Sequence, residues 1–316
     1  MRIVYIIFCL LFLIRGLFAQ QMPVYSQYFI NGFVINPALA GSDGTLKLQL
    51  SARDYMIGIK GGPKTLTASA NGRLLRQREG VRNGKVYSQS GKVGMGGLVY
   101  NDCNGLVNRI GLQYTYAYHI DFHQSQLSLG LSAALSQTRV DANKLDFNEP
   151  EPLLREGFGN LAYVPDAVVG IFYKKQKYYI GLTASNLFQR SINFGEFDYK
   201  YVLYRHYFLL GGTSFDVGRD SYLAPTFLLK ATANGLYQGE FSTRFSYNDD
   251  FWMALTYRTP QIVAMMVGIR IRDLFIGYTY EYNFNTLRTF SFGAHELCLT
   301  YRIGDTARRY RWLIRY

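Results

Sequence analysis

Apolar and polar residues alternate with a period of two along most of the chain, the spacing that places one residue set on each face of a strand. From Ile110 the even positions are Ile110, Leu112, Tyr114, Tyr116, Tyr118 and Ile120, while the odd ones are Gly111, Gln113, Thr115, Ala117 and His119. The pattern returns with Leu127, Leu129, Leu131 and Leu135 against Ser128, Gly130, Ser132 and Ser136. It returns again with Phe251, Met253, Leu255 and Tyr257 against Trp252, Ala254, Thr256 and Arg258. Scanned with this template, the chain has fourteen strands, at 46–53, 64–72, 92–101, 109–121, 125–138, 165–174, 177–187, 204–216, 221–231, 237–247, 250–258, 262–272, 274–282 and 290–303. Their lengths centre on the roughly 9–11 residues of a tilted membrane-spanning strand, longer than the roughly 5–6 usual in globular sheets. A soluble β-sandwich also alternates, but it does not call for Ser, Gly, Thr and Arg on one face throughout. The predicted fold class is all-β: a transmembrane antiparallel β-barrel of about fourteen strands, apolar toward lipid and polar toward the lumen.

The connections sort into two sets. Those after even-numbered strands are mostly tiny (Phe122–Gln124, Lys175–Gln176, Val217–Asp220, Asn248–Asp249 and Asp273 alone), whereas those after odd-numbered strands include the long Arg139–Val164 and Phe188–Leu203. Short periplasmic turns and longer outer loops are the outer-membrane pattern, which puts both termini in the periplasm. One even-numbered connection is long: Arg73 to Gly91 carries Arg73, Arg76, Arg78, Arg82 and Lys85 against the single acid Glu79. It reads either as a solvated basic loop or as a docking surface for a periplasmic partner, with Arg308, Arg309, Arg311 and Arg315 of the tail on the same side. Inward-facing Arg244, Arg270, Arg272 and Arg302 fall toward the periplasmic end, with Glu240, Glu281 and Glu296 higher. Such charges form either a structural wall network or a site for an acidic segment entering the barrel. On the outer face Tyr257, Tyr280 and Tyr282 near the top, with Tyr247 and Phe251 near the bottom, fit two interfacial girdles.

Composition agrees with this picture. The 316 residues include 27 Tyr, 22 Phe and 2 Trp, only 18% are charged, and mean hydropathy is a neutral −0.05. Alternating faces average out in this way, while so many aromatics argue against disorder. Beyond residue 20 no uncharged apolar run approaches the ~18–20 residues of a spanning helix. Met1–Ala19 has a basic second residue, an apolar core from Ile3 to Ile14 and a small residue at its end, which is a secretory signal peptide. Cys9 lies inside that core behind Phe8, not at a lipoprotein site, and the remaining Cys103 and Cys298 make no disulfide framework. Without Arg2 and Arg15 the exported chain has 32 basic and 22 acidic residues, a net +10. Such a charge suits lipopolysaccharide or acidic partners, not nucleic acid.

Catalytic chemistry is poorly supported, and no cofactor is called for. His119 and His123 have a ligand-like spacing but no third partner, and read better as a turn-end pair in solvent. No GxSxG elbow or P-loop occurs, and Gly157-Phe158-Gly159 lacks the strand-turn-helix context of a nucleotide site. Glu149 and Glu151, spaced by proline, read as a stiff exposed segment more readily than as calcium ligands.

After the signal the chain reads Gln21-Met-Pro-Val-Tyr-Ser-Gln-Tyr-Phe-Ile-Asn-Gly-Phe-Val-Ile-Asn-Pro-Ala-Leu-Ala-Gly-Ser42, carrying Tyr25, Gln27, Tyr28, Asn31, Asn36, Pro37 and Gly41. This stretch resembles the N-terminal signature of the PorP/SprF family of Bacteroidetes outer-membrane proteins. The far end, His295-Glu296-Leu-Cys-Leu-Thr-Tyr301-Arg302-Ile303, resembles that family's closing strand. The chain departs from the family in adding Gly304–Tyr316 and in having Gly32 where a turn dipeptide is common. The resemblance implies membership of the type IX secretion and gliding machinery. The implied partners are a periplasmic ring-forming lipoprotein, a peptidoglycan-binding protein with an OmpA-like domain, and a secreted cargo or adhesin with a C-terminal sorting domain. It implies no catalytic residues.

The predicted layout is a signal peptide at 1–19, a signature segment at 20–45, a barrel at 46–303 and a basic aromatic tail at 304–316. Aromatic and amide side chains alternate in the signature segment, and Asn36-Pro37 favours a turn. Such a segment suits a lumenal strap or plug, the alternative being a periplasmic lead-in that occludes nothing. The expected function is non-enzymatic: coupling cargo secretion or anchoring to a periplasmic assembly. The alternatives are a channel of the fatty-acid-transporter (FadL-like) or porin kind, and more remotely a barrel enzyme.

Overall fold

The computed structural model describes residues 28, 30–59, 61–74, 78–82, 85–89, 92–122, 124–140, 161–193, 200–284 and 291–303. Fourteen antiparallel strands form its wall. They are β1 (Leu46–Asp54), β2 (Lys64–Leu74), β3 (Val93–Asn104), β4 (Val107–Asp121), β5 (Ser125–Val140), β6 (Leu161–Lys175) and β7 (Tyr178–Ser185), followed by β8 (His206–Thr213), β9 (Ser221–Thr232), β10 (Tyr237–Tyr247), β11 (Phe251–Arg258), β12 (Ile262–Ile271), β13 (Leu274–Asn283) and β14 (Ala294–Ile303). Each pairs with its neighbours in sequence, and β14 returns to β1 with Leu46 opposite Ile303 and Asp54 opposite His295, so the sheet closes and leaves no edge.

Alternation holds strand by strand. On β11 Phe251, Met253, Leu255 and Tyr257 are exposed while Trp252, Ala254, Thr256 and Arg258 are buried. Outward Leu50, Leu112, Leu131, Leu182 and Leu255 are half-exposed around the ring, as a lipid-facing band requires. Inward hydroxyls pair across strands: Thr115 with Ser132 at 2.6 Å and Ser242 with Thr256 at 2.6 Å.

The boundaries differ from expectation at several ends. Pro165 lies inside β6 opposite Leu135, so the strand begins at Leu161. β7 stops at Ser185 because Asn186 takes a positive φ and its side chain donates to the Tyr204 carbonyl, turning the chain away. β8 runs only from His206 to Thr213, with Phe215–Asp216 continuing the pairing after Ser214. The long basic connection holds a hairpin, Arg78–Arg82 paired with Lys85–Gln89, and the β7–β8 connection holds another, Ser191–Asn193 with Lys200–Val202. The turns after even-numbered strands lie at one end, the turn end. Asn248 and Asp249 both take positive φ there, in a three-residue connection closed by the Asp250 amide donating to the Tyr247 carbonyl. The other end is the loop end.

Candidate functional site

Residues 30–44 do not precede the barrel as a loose leader; they lie inside it. Three of the four apolar clusters among the described residues are built on this segment. Tyr28 and Ile35 pack with Leu210 and Leu228, Phe33 and Ala40 with Leu98 and Ala117, and Ile30 against Trp252 and Met266. Much of the core among the described residues is therefore wall against strap. Burying an Ile- or Phe-sized side chain contributes about 1.5–3 kcal/mol, and Leu98, Leu210, Leu228, Trp252 and Met266 give the wall the apolar inward patches that receive them.

The wall is shaped to receive the strap. Gly94 of β3 pairs with Ala117 of β4, Ala117 with Gly130 of β5, Gly130 with Gly170 of β6, and Gly170 with Thr183 of β7, making one transverse row of small residues. A Cβ on Gly94 would lie 1.9 Å from the Ala40 carbonyl oxygen, on Gly130 2.2 Å from the Ala38 nitrogen, and on Gly170 2.1 Å from Asn36 Oδ1. The strap thus follows the wall from β7 back to β2 before entering β1, turning at Gly41 (φ +66°) against the Gly72 backbone.

Polar groups complete the attachment. Asn36 caps Ala38 N through Oδ1 at 2.9 Å and donates from Nδ2 to the carbonyls of Ile171 (3.1 Å) and Leu182 (3.3 Å). Asn31 donates to Ser69 Oγ at 3.0 Å, and the Gly41 amide donates to Asn71 Oδ1 at 3.2 Å. The Tyr28 hydroxyl lies 3.3 Å from Ser242 Oγ on β10, and burial pushes its phenol up from the ordinary value. His119, expected in solvent, is fully buried, with Nδ1 2.8 Å from Ser128 Oγ and Nε2 2.9 Å from the Ala40 carbonyl. The spacing of His119 and His123 carried no sign of this, because its partner is 79 residues away. At the strap's exit Asp43 pairs with Lys47. Burial acts to raise the Asp43 carboxyl, but Lys47, Arg302 and Lys174 outweigh it and hold the group below the usual carboxylate range.

Two charged clusters divide the lumen. Near the loop end Glu240, Glu281 and Glu296 meet three cations. Glu240 pairs with Lys230 and lies 3.0 Å from Arg258; Arg258 reaches Glu281 at 3.1 Å; Arg53 joins Glu281 at 2.7 Å to Glu296 at 3.0 Å. Arg53 also sits over the Tyr55 ring at 4.8 Å. Three cations face three carboxylates, all but Lys230 nearly or fully buried. At the turn end Arg244, Arg270, Arg272 and Arg302 come together around one cavity of about 220 Å³, joined by Lys47 and Lys174. Lys230, Arg53 and Arg258 of the first cluster and Lys47 and Lys174 of the second escaped the sequence reading. Each sits on an inward position, and that parity was the available signal.

Arg73 does not belong with the basic docking residues. It is buried on the lumen side of β2 with its guanidinium 3.5 Å from Asp121, because the register of β2 turns it inward. Arg78, Arg82 and Lys85 lie on the turn-end hairpin. Tyr25, Gln27, His123, Arg76, Glu149, Glu151, Arg308, Arg309 and Arg311 fall outside the described residues. In the closing strand His295 faces outward between Tyr278 and Tyr280, Tyr301 faces outward, Glu296 joins the ion network and Arg302 lines the cavity.

A closed fourteen-stranded antiparallel barrel with an apolar outer band and a polar lumen is an outer-membrane β-barrel protein. The family model for the type IX secretion system membrane protein PorP/SprF matches residues 17–301, and the chain belongs to that family. No protein of curated function matches it. Among solved structures it is similar to a deltaS2S3 mutant of the TodX monoaromatic hydrocarbon channel, with 10% identity over 86% of this chain and 92% of that one and a TM-score of 0.41. It is also similar to the P. putida toluene transporter TodX (11%, 84% and 90%, TM-score 0.39) and to a mutant of Rh. blastica porin (6%, 82% and 99%, TM-score 0.33). Likeness this distant carries no functional inference.

Proposed function

We propose that this chain is a non-enzymatic outer-membrane component of the type IX secretion system that couples secretion or anchoring of a cargo or adhesin to a periplasmic assembly. The observation that carries the reading is the use made of the lumen. The strap's amides are bound to the wall and a compensated ion network crosses between strands at the loop end, which supports a lumen used for cohesion over one used as a solute path. In this reading the turn end faces the periplasm and presents the Arg78–Gln89 hairpin to a ring-forming lipoprotein or to a peptidoglycan-binding protein with an OmpA-like domain. The strap blocks conduction.

Purification of the full-length protein from the outer membrane in mild detergent tests the coupling. A secretion partner is expected to accompany the barrel and to be released by Arg78→Glu with Arg82→Glu, while the barrel stays heat-modifiable on gels. Recovery of the barrel alone, with cargo secretion intact after its deletion, overturns the reading. Planar-bilayer conductance tests the block: deletion of 22–40 should open a pore that the intact chain lacks.

A further inference from the structure

The turn-end cavity is lined by more cations than acids, and the Asp250 carboxylate that reaches Arg270 from outside the lining lies 3.8 Å from its Nε. Lys47, Lys174, Arg244, Arg270, Arg272 and Arg302 line it against only Asp43 and Asp273, and Asp43 is already paired with Lys47. Arg302 Nε is buried without a hydrogen-bond partner among the described residues, and its guanidinium lies 4.0 Å from the Phe275 ring centre. Cations gathered behind a low-dielectric wall raise a positive potential that an anion from outside relieves. The uncharged lining is mixed: Ile30, Leu39, Phe172, Leu210 and Phe275 form its apolar part among hydroxyls and amides such as Ser42, Thr226 and Asn71, and the cavity borders the turns through Ser214, Arg272 and Asp273.

We infer that this vestibule is a binding site for a short acidic peptide segment carrying an apolar side chain between its carboxylates. About 220 Å³ admits a few residues and no folded domain. The chain's own ends do not suit it: Gln20–Gln27 has no acidic residue, and Gly304–Tyr316 sets Asp305 against Arg308, Arg309, Arg311 and Arg315. The carboxylates pair with Arg270 and Arg302 while the apolar side chain rests on Phe275. The choice of a polypeptide over a free phosphate rests on the secretion role proposed above; the existence of an anion site does not.

Fluorescence anisotropy of full-length protein in detergent, with a labelled peptide Asp-Leu-Glu-Phe-Asp as probe, tests the site. Saturable binding is expected, weakened at least tenfold by Arg270→Gln with Arg302→Gln and abolished when the probe's acids become amides. Lys64→Gln, exposed at the loop end, should leave it unchanged. Arg270→Gln alone, at a partly exposed position, provides the reading should the double variant fail to fold. Absence of saturable binding, or equal binding to the Arg270→Gln variant, overturns the site. Displacement by millimolar inorganic phosphate, together with indifference to replacing the probe's Leu and Phe by Ser, overturns the peptide assignment in favour of a phosphate site. Peptide binding that persists while deletion of the protein leaves secretion intact sinks the secretion role and not the vestibule.

Discussion

The two ends of this lumen treat charge in opposite ways. Near the loop end three cations and three carboxylates alternate in one network, with contacts of 2.7–3.1 Å where Arg53 and Arg258 meet Glu281. At the turn end six cations surround a cavity with two acids. A compensated buried network is an internal joint, because each member's desolvation is offset only by the others and removing one strands its neighbours. A cluster in which cations outnumber acids beside an opening, even with Lys47 held by Asp43 and Arg270 near Asp250, keeps a net positive potential that gains from an outside anion. The same residue type therefore serves cohesion at one end and recognition at the other, decided by what stands opposite it.

The largest effect separating the ends is expected from Arg258→Met. It leaves Glu240 and Glu281 buried with one cation fewer, at a cost of about 3–5 kcal/mol. The equivalent Arg270→Met should cost less than about 1 kcal/mol, since it removes a partly exposed charge. Denaturant midpoints of the heat-modifiable form check this, and equal losses at both ends would collapse the comparison. Next comes the strap's seat, which underlies the turn-end cavity. Gly170→Ala places a Cβ 2.1 Å from Asn36 Oδ1 and should cost about 1–3 kcal/mol. Gly97→Ala, with nothing nearer than 3.9 Å, should be nearly silent, with protease access to 28–44 as a second readout. Asn36→Ala gives up its cap on Ala38 and two bonds to the wall, which predicts a loss of about 1–2 kcal/mol in the same unfolding assay.

The smallest effect concerns Asp43, whose folded carboxyl is held below its ordinary range. Its stabilisation is complete above the unfolded value near 4 and disappears only as the pH falls through the lower folded value. Stability should thus be flat in this respect from pH 7 to 5, and Asp43→Asn should make the loss of stability below pH 4 shallower. An unchanged slope would remove Asp43 from the pairing at the strap's exit.

The amino-acid sequence by itself determined the strands, their number and which face of each meets lipid. Period-two alternation is local, and a single strand reveals its own parity whatever its neighbours do. It also marked Arg244, Arg270 and Arg302 as inward and toward one end, whereas Arg272, expected with them on β12, sits exposed in the following turn with a positive φ. Which inward groups meet was decided only in the closed barrel. Arg53 and Glu281 are 228 residues apart in the chain, yet both lie beside β14 once β1 closes the ring. The transverse row from Gly94 to Thr183 exists only through four successive registers, and the Asn36 amide finds its carbonyls only once the strap has crossed the lumen. Arg73 shows the same limit, since its neighbours in sequence suggest a basic loop while the pairing of β2 buries it against Asp121. Alternation costs nothing to read along a chain, but register and closure couple distant segments through geometry that no local pattern carries.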